Sequence, residues 1–174
     1  MHQRQIPRPT PAPDAFAIMR SQEIYVSSYR FDDRAISWRP FRGPDGLSFW
    51  VLDVSEQKQK VDILFRLAPH ARCVAHTHLG PTSTLVLDGE HRTFRRSGTD
   101  WVLDEVRAPG TFHSHEGDSL HVEEGGADGA IVHLSMHAVN GVIWTVHDDD
   151  GAVVDQTTVT NFVRAQHSQL SRQV

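Results

Sequence analysis

The sequence predicts an all-β, single-domain protein built as an antiparallel sandwich or barrel, and three observations carry that expectation. Turn signals recur at close intervals: Pro44-Asp-Gly46, Asp88-Gly89, Ser97-Gly98, Ala127-Asp-Gly129, Asn140-Gly141 and Asp150-Gly151. Between them lie short runs rich in β-branched and aromatic residues. No helical crossover separates these runs, which favours antiparallel pairing over a βαβ arrangement. A chain of 174 residues is enough for one well-buried core.

Taken in order, residues 7–13 read Pro-Arg-Pro-Thr-Pro-Ala-Pro. Such a stretch favours extended polyproline geometry and offers few backbone donors, so residues 1–22 are expected to form an arm and residues 23–174 the domain. Strands are expected at Ile36–Phe41, Leu47–Val54, Val61–Leu67, Leu85–Leu87, Ala130–Met136 and Val142–Val146. Val61-Asp-Ile-Leu-Phe-Arg-Leu67 and Ile131-Val-His-Leu-Ser-Met136 alternate as half-buried strands do. One short helix is expected over Thr158–Leu170, docking through Phe162, Val163 and Leu170.

Composition narrows the function. Net charge is −5 and no Lys/Arg block occurs, which disfavours duplex nucleic acid and anionic membranes as partners. Cys73 is the sole cysteine, so no intramolecular disulfide forms and a reducing compartment is favoured. No apolar run approaches a signal peptide or a membrane span, and the expectation is a cytoplasmic protein.

The chemistry concentrates in the histidines. His76-Thr-His78 places two imidazoles on one face of a strand, about 6.5–7 Å apart along the backbone. With 12 histidines in the chain, roughly one His-x-His pair arises by chance, so the weight lies on the surrounding turns. Pro109-Gly110 restarts a strand and delivers His113. Three neutral nitrogen donors converging at His76, His78 and His113 suit a divalent metal with open positions.

These segments resemble the two motifs of the cupin superfamily. The first is matched by His76, His78 and Val86-Leu-Asp-Gly89, the second by Pro109-Gly-Thr-Phe-His113. More narrowly, His76-Thr-His-Leu-Gly-Pro81, the Pro-Gly-Thr-x-His form and the segment Asn140 to Val154 are similar to the small single-domain dioxygenases that cleave 2,4′-dihydroxyacetophenone or acetylacetone. The resemblance covers roughly residues 35–160. It implies a jelly-roll barrel, a mononuclear Fe(II) held by His76, His78 and His113, and O2-dependent cleavage of a carbon–carbon bond beside a carbonyl in a small hydroxyketone or diketone. Three neutral imidazoles leave a divalent ion at +2, which favours chelation of an anionic enolate. The same donors suit Zn, Ni and Mn, so an O2-independent isomerase or lyase is a second expectation, and a metal-bearing ligand sensor a third. A homodimer is expected, with the proline-rich arm pairing two barrels.

The chain also departs from these relatives. Thr82 stands where the general cupin motif carries a Glu ligand; near Ser83 and at Arg107 the ketone-cleaving enzymes carry further glutamates. Losing such supporting carboxylates commonly costs 10–100-fold. Arg107 is instead a candidate to hold an acidic group of the substrate by paired hydrogen bonds, or else a partner for Glu105 or Asp104. His115, two residues beyond His113, is a further candidate at the substrate. Cys73 is expected to pack. His133, Ser135 and His137 share one strand face that lines either the cavity or the solvent. Trp38, Trp50, Trp101 and Trp144 are expected to anchor the core or an interface, and Asp148-Asp-Asp150 to form a hairpin turn rather than a calcium loop.

Overall fold

A computed structural model describes residues 30–171. The proline-rich arm, residues 1–22, and with it the expected pairing of two chains, lies outside the described residues. Ten strands follow in order: β1 (Arg39–Pro40), β2 (Leu47–Ser55), β3 (Lys60–Leu67), β4 (His76–His78), β5 (Thr82–Ser97), β6 (Asp100–Arg107), β7 (Phe112–His115), β8 (Leu120–His137), β9 (Val142–His147) and β10 (Val153–Thr158). Among the described residues one helix is present, α1 (Val159–Leu170), and it follows β10 directly. Every strand pairing is antiparallel, as the turn spacing predicts.

The strands form one curled sheet in the order β1-β2-β3-β8-β4-β9-β10, with β5 joined to β6, β7 and β8. Strand β8 is the spine. Its second half pairs with β3 on one side, and β5 runs along nearly its whole length on the other. The interior is filled by inward-facing residues of β2, β3, β5, β8 and β9: Val51, Val61, Ile63, Val86, Val132 and Ile143 are all at most 2% exposed. The opposite face of β8 carries His133, Ser135 and His137, which pair across to Leu64, Asp62 and Lys60 of β3. This stripe faces outward, while Val132, Leu134 and Met136 are buried.

Two expected turns are not turns. Asp88-Gly89 and Ala127-Asp-Gly129 lie inside β5 and β8, which run on as strands of 16 and 18 residues. The physical reason is a pair of facing irregularities. Gly89 (φ +70°) and Gly129 (φ +80°) sit against each other where the β5–β8 register shifts, and a Cβ on Gly89 would lie 2.2 Å from the Gly129 carbonyl oxygen. Glycine supplies the backbone freedom that bends a long strand as readily as the freedom that reverses it. Asn140-Gly141 does reverse the chain, with both residues at positive φ (52° and 84°) between β8 and β9, the geometry of a two-residue hairpin.

Helix α1 begins where the sequence places it. Thr158 caps it, and Asn161 returns the bond to the Thr158 backbone, a reciprocal box that satisfies otherwise orphaned donors. Phe162 is buried between Phe49 and Trp144, edge-on to both; full burial of such a ring is worth roughly 1.5–3 kcal/mol. Leu170 is 54% exposed and does not dock. Gln169 does so in its place, because its side chain reads the edge of β2 as a strand would: Oε1 accepts from Val51 N (3.1 Å) and Nε2 donates to Val51 O (2.9 Å). Gln169→Ala leaves both buried backbone groups unpaired, and chemical denaturation should show a loss of about 1–3 kcal/mol.

Candidate metal centre

Strand β4 is three residues long and buried throughout. It pairs with β9 through His76↔Val146 and His78↔Trp144, and with β8 through His76↔His121 and Thr77↔Leu120. Residues directly opposite on neighbouring strands point to the same side. The β4–β8 register therefore sets His121 beside His76, and the period of two sets His78 on that same side.

The three imidazoles converge. Potential ligand atoms of His76, His78 and His121 all lie within 4.8 Å of one another. His76 Nδ1 donates to the Val74 carbonyl (2.9 Å) and His121 Nδ1 to the Ser119 carbonyl (2.7 Å). A carbonyl can only accept, so in both rings Nδ1 carries the proton and Nε2 keeps its lone pair. The Nε2 atoms of His76 and His78 are 3.2 Å apart, a separation that two bonds of about 2.0–2.1 Å to one ion would span. His78 Nδ1 is buried without a partner.

Burial, together with the neighbouring His121, lowers the His76 pKa to about 4. Burial and the adjacent His76 hold His78 well below its ordinary range. Both rings are therefore neutral at pH 7, the form a metal binds. Trp144 sits edge-on to His78 at 5.8 Å and is backed by Phe162, so α1 supports one wall of the centre. Beneath the pair lies an apolar cavity of about 40 Å³ lined by Phe41, Ile63, Phe65, Leu134 and Trp144.

On the other side a polar cavity of about 130 Å³ opens outward, and His78, His121, Arg107, His113 and His115 reach it. His113 stands at its wall, away from the triple cluster. It is about one-third exposed, with Nδ1 3.9 Å from Glu105, and burial with the nearby Arg107 lowers its pKa. The expected trio is thus split: His76 and His78 come together, and the third imidazole beside them is His121. A signal for this was present in the sequence. His121-Val-Glu123 repeats the i, i+2 spacing of His76-Thr-His78, but without β4 pairing to β8 nothing ties the two segments together.

His115 lies nearer the cluster, its ring 5.7 Å from that of His78. The Gly117 N–H donates to its Nδ1, so its proton rests on Nε2. Arg107 is 7% exposed and puts both Nε (2.8 Å) and Nη2 (2.6 Å) on Glu105 Oε2. It therefore lines the cavity and pairs with Glu105 at once. Thr82 faces the cavity and Ser83 bonds outward to Ser114, so neither position brings a carboxylate.

A carboxylate arrives from elsewhere. Glu123, 5% exposed, accepts from His91 Nε2 (3.0 Å) and has Oε2 3.8 Å from His76 Nε2. Burial pushes its pKa up, but the His91 bond and the surrounding histidines outweigh this and hold it well below the usual carboxylate range. Cys73 is tied into the same corner, accepting from the Glu123 N–H (3.0 Å) with Sγ 3.7 Å from His76 Nδ1. Burial raises its pKa strongly, so it is a thiol that packs.

A curled antiparallel barrel with imidazoles converging inside it defines the protein as a cupin. The chain belongs to the ChrR cupin-like domain family, whose model matches residues 26–139. No curated protein matches it. Among solved structures it is similar to an acetylacetone dioxygenase from Acinetobacter johnsonii, at 15% identity over 97% of this chain and 99% of that one, with a TM-score of 0.61. A putative acetylacetone dioxygenase from Methylibium petroleiphilum is 16% identical over 75% and 88% of the two chains, with a TM-score of 0.58. An RmlC-like cupin from Ralstonia eutropha is 11% identical over 86% and 91%, with a TM-score of 0.66. At these identities the likeness is one of fold. Among the described residues no helix is long and apolar enough to cross a membrane.

His121→Ala should sharply reduce bound divalent metal in elemental analysis after dialysis, and His113→Ala should leave most of it in place. The buried rings also set the acid response of the metal-free protein. His76 titrates near 4 when folded against 6.5 for the free side chain, so between those values the unfolded chain holds the extra proton. Stability should be full above pH 6.5 and fall as pH drops toward 4, by up to about 1.4 kcal/mol per pH unit for each such histidine. Glu123 acts in the same direction below 4.5. Urea midpoints across pH 4–8 check this.

Proposed function

We propose that this cupin is a metal-dependent dioxygenase that cleaves a carbon–carbon bond beside a carbonyl in a small diketone or hydroxyketone, with Fe(II) held by His76, His78 and His121. The observation that carries the reading is the convergence of three imidazoles at the base of an open cavity, with the donor lone pairs of His76 and His121 fixed on Nε2. The fold likeness to acetylacetone dioxygenase adds to it. Fe(II) in that position would supply chelation of the substrate's two oxygens and reaction with O2. A diketone R–CO–CH2–CO–R′ and O2 then give R–COOH and OHC–CO–R′, with both oxygen atoms in the products and no external reductant.

The chain's own residues divide the remaining work. His76 and His78 stay neutral and hold the ion, and Trp144 keeps water from the apolar side. His115 offers Nε2–H to an oxygen in the cavity it lines. Arg107 presents a guanidinium edge whose present partner, Glu105, is 44% exposed and able to swing aside for an acidic group of the substrate.

Oxygen uptake by the Fe(II)-loaded protein tests the reading, with acetylacetone and a carboxylate-bearing analogue, 3,5-dioxohexanoate, as substrates. Uptake should require Fe(II) and match product formed. Arg107→Gln should raise KM for the carboxylate analogue about 10–100-fold, the worth of a charged hydrogen-bond pair, and leave acetylacetone little changed. Three imidazoles suit Zn and Ni as well. Turnover without O2, or equal turnover with Zn, would give the site to isomerase or lyase chemistry.

A further inference from the structure

We infer that Glu123, positioned by His91, is a further ligand of the metal centre, reaching it on the His76 side through Oε2. The inference rests on the metal reading above and concerns a residue that no sequence motif places there.

A carboxylate is costly to remove from water unless a positive charge or several donors compensate it. Glu123 is 5% exposed, yet among the described residues it has no Lys or Arg partner. Its two ion-pair distances are both to imidazoles: His91 Nε2 at 3.0 Å and His76 Nε2 at 3.8 Å. The two oxygens differ. Oε1 takes the His91 hydrogen bond, whereas Oε2 makes no hydrogen bond among the described residues.

Oε2 is also the oxygen nearest His76, and the atom it approaches is the lone-pair nitrogen of that ring. A lone-pair nitrogen and a carboxylate oxygen 3.8 Å apart do not attract each other. A cation between them removes the mismatch, and two ligand bonds of about 2.0–2.2 Å reach across that gap. The divalent charge would compensate the buried carboxylate, and the carboxylate would lower the net charge of the centre from +2 to +1.

His91 acts through Glu123 and not on the metal. It is fully buried on β5, its Nε2–H fixes Oε1, and its own Nδ1 has no partner. Cys73 holds the other end, accepting the Glu123 backbone N–H. The carboxylate is thus pinned at one oxygen and at its backbone, leaving only Oε2 free to bind.

Co(II) binding to the metal-free full chain tests this, measured by chelator competition and by the visible absorption of the bound ion. Glu123→Gln keeps the shape and the His91 hydrogen bond but removes the charge. It should weaken Co(II) about 10–100-fold and change the position or intensity of the visible band. An unchanged affinity, or a weakened affinity with an unchanged band, overturns Glu123 as a ligand. His91→Gln should weaken Co(II) by less, and the double variant should bind no worse than Glu123→Gln alone. Additive losses would overturn the positioning role of His91. If Glu123→Gln does not fold by circular dichroism, Glu123→Asp serves instead: a shorter carboxylate should shift the band, and an unshifted band overturns the inference. His76→Ala is the control that separates the two levels. Metal lost there but not at Glu123 sinks only this inference, and metal retained in both sinks the metal reading itself.

Discussion

The pairing of β4 with β8 is the constraint on which the centre depends. Three residues of β4 carry two imidazoles, and alone they would be an ordinary buried turn of chain. Held in register against β8, with His76 opposite His121, they become one side of a metal-sized cluster. The same register brings Glu123 two residues further along β8, close to the same ring. A slip of one residue would turn His121 and Glu123 to the other face of β8 and leave Leu120 and Val122 inside. The chemistry of the site is therefore a property of a strand alignment before it is a property of any side chain.

That alignment is secured by the length of β8. Its second half is locked into the core by eight consecutive partners on β3, from Lys60↔His137 to Leu67↔Ala130. The first half, which bears His121 and Glu123, is then carried to β4 and β5 by the irregular stretch around Gly125–Gly129. The close approach of Gly89 to Gly129 shows how tightly this bend is built. Packing supports the opposite side. Helix α1 presses Phe162 onto Trp144, Trp144 walls the histidine pair, and Gln169 anchors the end of the helix to β2.

The site divides space by polarity. One side of the histidine pair is a small apolar pocket, and the other is an open cavity edged with Arg107, His113 and His115. Such an arrangement keeps the His76 and His78 rings buried and neutral while leaving one face of the cluster toward the cavity. Burial also explains why His76 and His78 lie side by side without taking up protons. Burial lowers the pKa of His76 and His78, and each further ring that takes a proton would raise the cost for its neighbours.

The sequence by itself determined the all-β architecture, the Asn140-Gly141 turn, the C-terminal helix and the pair His76 and His78. Each depends on neighbours close in the chain: two-residue alternation, turn chemistry, the spacing of apolar residues along a helix. Tertiary structure alone decided the third imidazole. His113 and His121 both follow the Pro109-Gly110 turn, and only the alignment of β8 against β4 selects His121 for the cluster and leaves His113 at the cavity wall. The same holds for Glu123, which lies far from His76 in the chain, and for the two glycines whose local chemistry reads equally as a turn or a bend. Spacing along a strand fixes which side chains share a face, but which faces meet is settled by pairing between distant segments, and that information is not local.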